Sequence, residues 1–106
     1  MAQLFKNIQW SEKEITREIR AYLRIRGIFH WKVFQTLGST VGCPDILGIY
    51  KGKFLGIEVK TKSGKLSERQ ALFIESINLE GGIAFVATSV EQVMEKLDEF
   101  NKKSDR

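Results

Sequence analysis

GCPDILGIYKGKFLGIEVK, residues 42–60, is the stretch on which the fold turns. Two apolar runs, one headed by Pro44-Asp45 and one closed by Glu58-Val59-Lys60, flank Tyr50-Lys51-Gly52-Lys53, a tight reversal centred on glycine. The runs are therefore expected to be adjacent antiparallel strands, which brings Asp45 close to Glu58. In the second run Leu55, Ile57 and Val59 alternate with Gly56, Glu58 and Lys60. The two-residue period of a strand sends the two sets to opposite faces, so Glu58 and Lys60 point the same way.

Two carboxylates converging from neighbouring strands make a hard oxygen site suited to Mg2+ or Mn2+. A cation there can activate water and neutralise a phosphate. Lys60, on the same face, can supply a point charge to the attacking water or to the charge that develops around phosphorus. An isolated Glu-x-Lys would be read as a surface salt bridge. The Pro-Asp at hairpin distance is what adds a metal site to the reading.

The runs GCPDILGIY, FLGIEVKTKSGKLSERQ and GGIAFVATSVEQV, in that order, resemble the virus-type replication-repair nuclease (VRR-NUC) domains of the PD-(D/E)xK nuclease superfamily. The likeness covers roughly residues 11–93. It implies a restriction-endonuclease-like core, with metal ligation by Asp45 and Glu58, the Val59 carbonyl nearby, and a catalytic role for Lys60. Gln70 matches the glutamine of the family's following helix. The function implied is a metal-dependent, structure-selective endodeoxyribonuclease acting on four-way (Holliday) junctions as a homodimer. A flap or other branched-DNA nuclease, and a catalytically silent DNA-binding module, are the alternatives. Small proteins resembling this one are commonly phage-encoded.

Composition sets wider bounds. With 106 residues, 42% of them hydrophobic, the chain suits one domain with one core, expected over about residues 11–100. Seventeen Lys and Arg against thirteen Asp and Glu give a net charge of +4, compatible with a polyanionic partner but too mild to demonstrate one. No apolar stretch approaches the ~20 residues that cross a bilayer, and the N-terminus lacks the hydrophobic run of a signal peptide. No membrane association and a cytoplasmic location are expected. The single cysteine, Cys43, has no second thiol for an internal disulfide and reads as a small packing residue.

The remaining elements follow from capping and periodicity. Ser11-Glu12-Lys13-Glu14 is a capping box that opens a helix running to Arg26, where Gly27 stops it; its apolar stripe is Ile15, Ile19, Tyr22 and Leu23. Glu12 falls inside that stripe on the helical wheel, whereas Glu14 is the capping partner of Ser11. Domains similar to this one carry a glutamate at this helix start, three residues before an apolar position, so Glu12 is expected to join the metal site. A first-turn acid favoured by the helix dipole is the alternative.

Residues 28–36 read as a strand in which Lys32 is a candidate phosphate contact. The small residues of 37–42 form a loop that is either an ordinary connector or one whose Ser39 can donate to phosphate, and Lys62 and Lys65 of the basic turn 61–65 are further candidate DNA contacts. Ser67-Glu68-Arg69-Gln70 is a second capping box, opening a helix to about Glu80 with Phe73, Ile74 and Ile77 on its apolar face. Gln70 lies at the centre of that face, and either folds back as the cap partner of Ser67 or reaches the active site.

Residues 83–87 form a short strand, parallel to its neighbour because a helix crosses over to reach it. Ser89 then caps a last helix with the stripe Val90, Val93, Leu97 and Phe100, and the polar tail 101–106 is expected to fray. The order α-β-β-β-α-β-α predicts an α/β domain, a small mixed sheet flanked by helices.

Overall fold

In the computed structural model, which describes residues 9–34 and 40–104, the chain runs α1 (Glu12–Ile25), β1 (His30–Lys32), β2 (Ile46–Tyr50), β3 (Lys53–Val59), α2 (Glu68–Leu79), β4 (Ile83–Ala87) and α3 (Val90–Ser104). This is the predicted order. The four strands form one sheet in the order β1-β2-β3-β4. The first two pairings are antiparallel, and β4, reached by the α2 crossover, is parallel to β3. The hairpin closes through Lys51 (φ 50°) and Gly52 (φ 79°), two successive left-handed residues whose twist matches that of the flanking strands. Its register sets Ile46 opposite Ile57 and Tyr50 opposite Lys53.

Strand alternation then divides the sheet. Ile46, Tyr50, Leu55, Ile57, Val59, Phe85 and Ala87 share one face, buried in a single core with Ile15, Ile19 and Leu23 of α1 and Val93 and Leu97 of α3. The other face carries Leu47, Ile49, Phe54, Gly56, Glu58 and Ala84, and α2 packs on it over β3 and β4. There Gly56 leaves room for the helix, since a Cβ at this position would sit 3.0 Å from Ile77 Cδ1. The Asn78 amide pins α2 to β4, accepting from the Ala84 N–H at 2.8 Å and donating to the Ala84 carbonyl at 2.9 Å.

Two segments depart from expectation. Of the strand expected over residues 28–36, positions 35 and 36 lie outside the described residues and only His30–Lys32 of the rest is strand, although the ladder extends past its ends through Ile49 N–H to the Phe29 carbonyl (3.0 Å) and Val33 N–H to the Asp45 carbonyl (2.7 Å). The tail does not fray at Asn101, because α3 continues to Ser104. The Tyr50 hydroxyl donates to Asn101 at 2.9 Å and accepts from Arg26 at 3.4 Å, tying the last turns of α3 to β2 and to the end of α1. No helix among the described residues is long and apolar enough to cross a membrane.

Gly42 sets the approach of the loop before Asp45 to the start of α2. Its φ is +87°, and a Cβ there would lie 2.7 Å from the Arg69 carbonyl oxygen. Gly42→Ala should therefore destabilise the chain by about 1–3 kcal/mol. Gly27→Ala has open space around it and should cost less. Denaturant midpoints measure both, and an unchanged midpoint for Gly42→Ala would show that the loop does not hold this contact.

Candidate functional site

The hairpin register delivers the expected convergence. Asp45 immediately precedes β2 and its Oδ2 accepts the Val59 backbone N–H at 2.8 Å, which fixes its carboxylate across the end of β3. Glu58, one residue earlier on β3, is only 3% exposed. Lys60 follows the strand, its own N–H held by the Ala87 carbonyl at 3.1 Å, and its ammonium stands 3.5 Å from Glu58 Oε2. With Glu58 buried and Lys60 mostly covered, the pair is not the surface salt bridge that Glu-x-Lys alone suggests.

Gln70 resolves two alternatives by taking both. Its backbone N–H donates to Ser67 Oγ (3.1 Å) and its Oε1 accepts the Ser67 N–H (2.9 Å), completing the capping box at the start of α2. A primary amide has a second end, and Nε2 donates to Glu58 Oε2 at 3.2 Å. Because Oε1 is committed to the cap, the NH2 must face the carboxylate. Lys60 and Gln70 thus both serve Oε2, while Glu58 Oε1 is buried with no partner.

Burial, first, and then the neighbouring Asp45 charge push the Glu58 carboxyl up to about 8, with Lys60 opposing the rise. The same surroundings raise the Cys43 thiol, through its burial and through Glu58 and Asp45. The group is therefore a crowded, electron-rich pocket holding two carboxylates, one ammonium and one amide. Its chemistry fits a hard divalent cation, since an unpartnered buried oxygen beside a second carboxylate is what such an ion relieves.

Other sequence candidates lie elsewhere. Glu12 points along the buried stripe of α1 but is exposed, because the first residue of a helix overhangs the layer beneath it. Among the described residues no group of three or more His, Cys, Asp or Glu side chains could hold a metal, so Glu12 is not gathered with Asp45 and Glu58. Glu14 accepts the Ser11 N–H at 3.1 Å and is held below its ordinary value, first by that backbone bond. Lys62 and Lys65 are exposed in the turn after Lys60; Lys32, half-buried, sets its ammonium 4.7 Å from the centre of the Phe34 ring. Ser39 lies outside the described residues.

One feature the sequence did not suggest is a cavity of about 520 Å3 at the carboxyl ends of β3 and β4, where Trp10 and Glu18 face Thr61, Ser63 and Glu91. No local spacing joins these positions, and only the parallel strand pair brings them together.

A carboxyl with a higher pKa in the folded chain than in the unfolded one holds its proton more tightly when folded. The stability Glu58 contributes is therefore full below pH about 4.5 and is lost as pH rises through about 8. In metal-free buffer the melting temperature of the wild type relative to Glu58→Gln should fall across that window. A difference that stays flat would mean that Glu58 is ionised throughout.

A sequence model described as the VRR-NUC domain matches residues 3–91. A solved structure described as a "VRR_NUC domain protein" superposes with a TM-score of 0.73 at 20% identity, covering 90% of this chain and 91% of its own. A second, a "VRR_NUC domain", gives 0.68 at 25% identity, covering 82% and 94%. No curated protein sequence matches the chain.

Proposed function

The chain belongs to the VRR-NUC domain family, a nuclease-type, DNA-acting domain, and from that premise we propose that it is a metal-dependent endonuclease that hydrolyses DNA phosphodiesters. The observation that carries this reading is the buried, unpartnered Oε1 of Glu58 beside Asp45, with Lys60 and Gln70 both turned to the other oxygen. Asp45 and Glu58 would hold Mg2+ or Mn2+, with the Val59 carbonyl as a further oxygen. Bound there, a divalent cation supplies Lewis acidity and positive charge to a phosphodiester.

Hydrolysis forms a bond from water oxygen to phosphorus and breaks one ester P–O bond. Lys60 is positioned to orient the water and to stabilise the charge that grows on the non-bridging oxygens. Gln70 aims Glu58 and favours its charged form, as a donor to a carboxylate does, against the burial and the Asp45 charge that oppose ionisation. Substrate is engaged by surrounding cations. Between positions 19 and 67 the only acids are Asp45 and Glu58, against nine Lys and Arg.

Among the described residues every element either builds the sheet or covers it, so DNA contact falls to the catalytic layer and favours recognition of shape over base sequence. Four-way junctions are the leading substrate, cut by a homodimer whose two sites address symmetry-related strands. The test is cleavage of junction, flap, linear and supercoiled DNA with and without Mg2+ or Mn2+, alongside sedimentation at micromolar protein. Equal cutting of linear duplex, or a monomer that still resolves junctions, would overturn the finer reading.

Asp45→Asn and Glu58→Gln should each lower cleavage by orders of magnitude while the fold and much of the DNA affinity remain. Lys60→Ala should leave Mg2+ binding, followed by calorimetry, largely intact and reduce the single-turnover rate by about 10²–10³. Wild-type turnover in any of the three removes the assignment. Neutralising Lys62 and Lys65 together should instead weaken binding and reduce the slope of log affinity against log salt by about two, leaving the rate on saturating DNA unchanged.

A further inference from the structure

Thr61, the residue after Lys60, lines the cavity of about 520 Å3 that lies between the first turns of α1 and α3. That volume falls within the roughly 300–1,000 Å3 of small-molecule sites. Consecutive Cα atoms are about 3.8 Å apart, so the cavity begins one residue from the proposed catalytic lysine. Its walls are of three kinds. Trp10, just ahead of the Ser11 cap of α1, is 42% exposed and stacks on no other ring or cation among the described residues. Ile15 supplies buried apolar surface, while Glu18 and Glu91 bring carboxylates and Lys62 an ammonium. No ion pair or side-chain hydrogen bond engages Glu18, Glu91 or Lys62 among the described residues.

These groups select by charge and by shape. Two unpaired carboxylates repel a phosphate, so the backbone of a bound strand is kept outside, with Lys60, Lys62 and Lys65. A carboxylate is an acceptor only and takes N–H donors, while an open indole face takes a flat π system. A nucleobase turned out of its stack, with its Watson–Crick edge free, meets both demands. Guanine meets them best, because its ring N1–H and 2-amino group are adjacent donors that match the two oxygens of one carboxylate. Adenine and cytosine offer one amino group on that edge, and thymine one ring N–H. A free polycation would also satisfy the carboxylates, but Lys62 on the same wall opposes it, and the position beside Lys60 favours a group carried by the DNA itself.

We propose that this cavity receives an unpaired guanine of the strand being cut, stacked on Trp10 and hydrogen-bonded through N1–H and the 2-amino group to a carboxylate of the Glu18 and Glu91 pair. This deepens the nuclease reading and rests on it. It adds to recognition by shape a base preference at a single unpaired position beside the cut, as occurs where arms diverge. A paired guanine has the same donors committed to cytosine and leaves the cavity empty.

The test uses the full chain in buffer with EDTA, so that binding is read without cleavage. In a Trp31→Phe background Trp10 is the only tryptophan. A (dT)12 oligonucleotide carrying one internal guanine should quench its fluorescence and bind about tenfold more tightly than (dT)12 itself. Hypoxanthine in place of the guanine lacks the 2-amino group and should lose most of that preference. Glu18→Ala with Glu91→Ala, at two exposed helical positions, should abolish the preference without weakening (dT)12. Trp10→Ala should lower affinity for the guanine oligonucleotide, and Trp10→Phe, which keeps a ring, should retain most of it. Equal affinity of the parent for the two oligonucleotides, or a preference that survives the double alanine variant, overturns the pocket. So does quenching by spermidine with none by the guanine oligonucleotide, which would make the cavity a cation site. Asp45→Asn separates the two readings: it should abolish cleavage and leave the guanine preference intact. A wild-type chain that prefers the guanine strand yet cuts no DNA with metal present would retain the pocket and reject the nuclease, and cutting without the preference would do the reverse.

Discussion

The enclosure of Glu58 is the constraint to which the rest of the structure answers. A carboxylate this buried is tolerated only if the charge around it is arranged in its favour. Lys60 supplies one opposing charge, the Gln70 amide one donor, and Asp45 a second negative charge that works against both. The result is a group whose metal-free form resists ionisation near neutral pH. Each surrounding element has a part in holding that unfavourable arrangement: the hairpin fixes Asp45 across the end of β3, the α2 cap fixes Gln70, and the parallel partner β4 fixes the backbone of Lys60.

The parts of the fold that were legible in the sequence were those set by neighbours along the chain. The glycine reversal gave the hairpin, alternation gave its two faces, and Ser-x-x-Glu and Ser-x-x-Gln gave two helix starts, because each is a contact between residues a few positions apart. Glu12 marks the limit of such reasoning. A helical wheel gives the direction in which a side chain points and not the depth of the layer it meets, and at the first residue of α1 that layer has ended. Asn101 shows the reverse case, where a polar residue that looks like the start of a loose tail is held by Tyr50, 51 positions away.

The apolar run around Phe29 and Trp31 illustrates a third kind of limit. Aromatic and β-branched residues on a strand read as core, and on the side of the sheet covered by α1 and α3 that inference holds. One helix of the length of α2 cannot span four strands, however, so the opposite face has more apolar surface than cover. Whether a hydrophobic strand residue is interior or exposed depends on the count and placement of helices. That is a property of the whole architecture.

The hairpin and α2 hold all four side chains of the group between positions 45 and 70, an uninterrupted run. Contacts between residues so close in sequence close short loops and can form before more distant ones. The carboxylates can thus be brought together while both are still hydrated. The non-local step is the return of the chain through β4 to complete the parallel ladder, with α3 sealing the layer behind it. That ladder sets Val86 beside Glu58, so part of the enclosure of the carboxylate depends on a pairing more distant in sequence than any contact within the group itself.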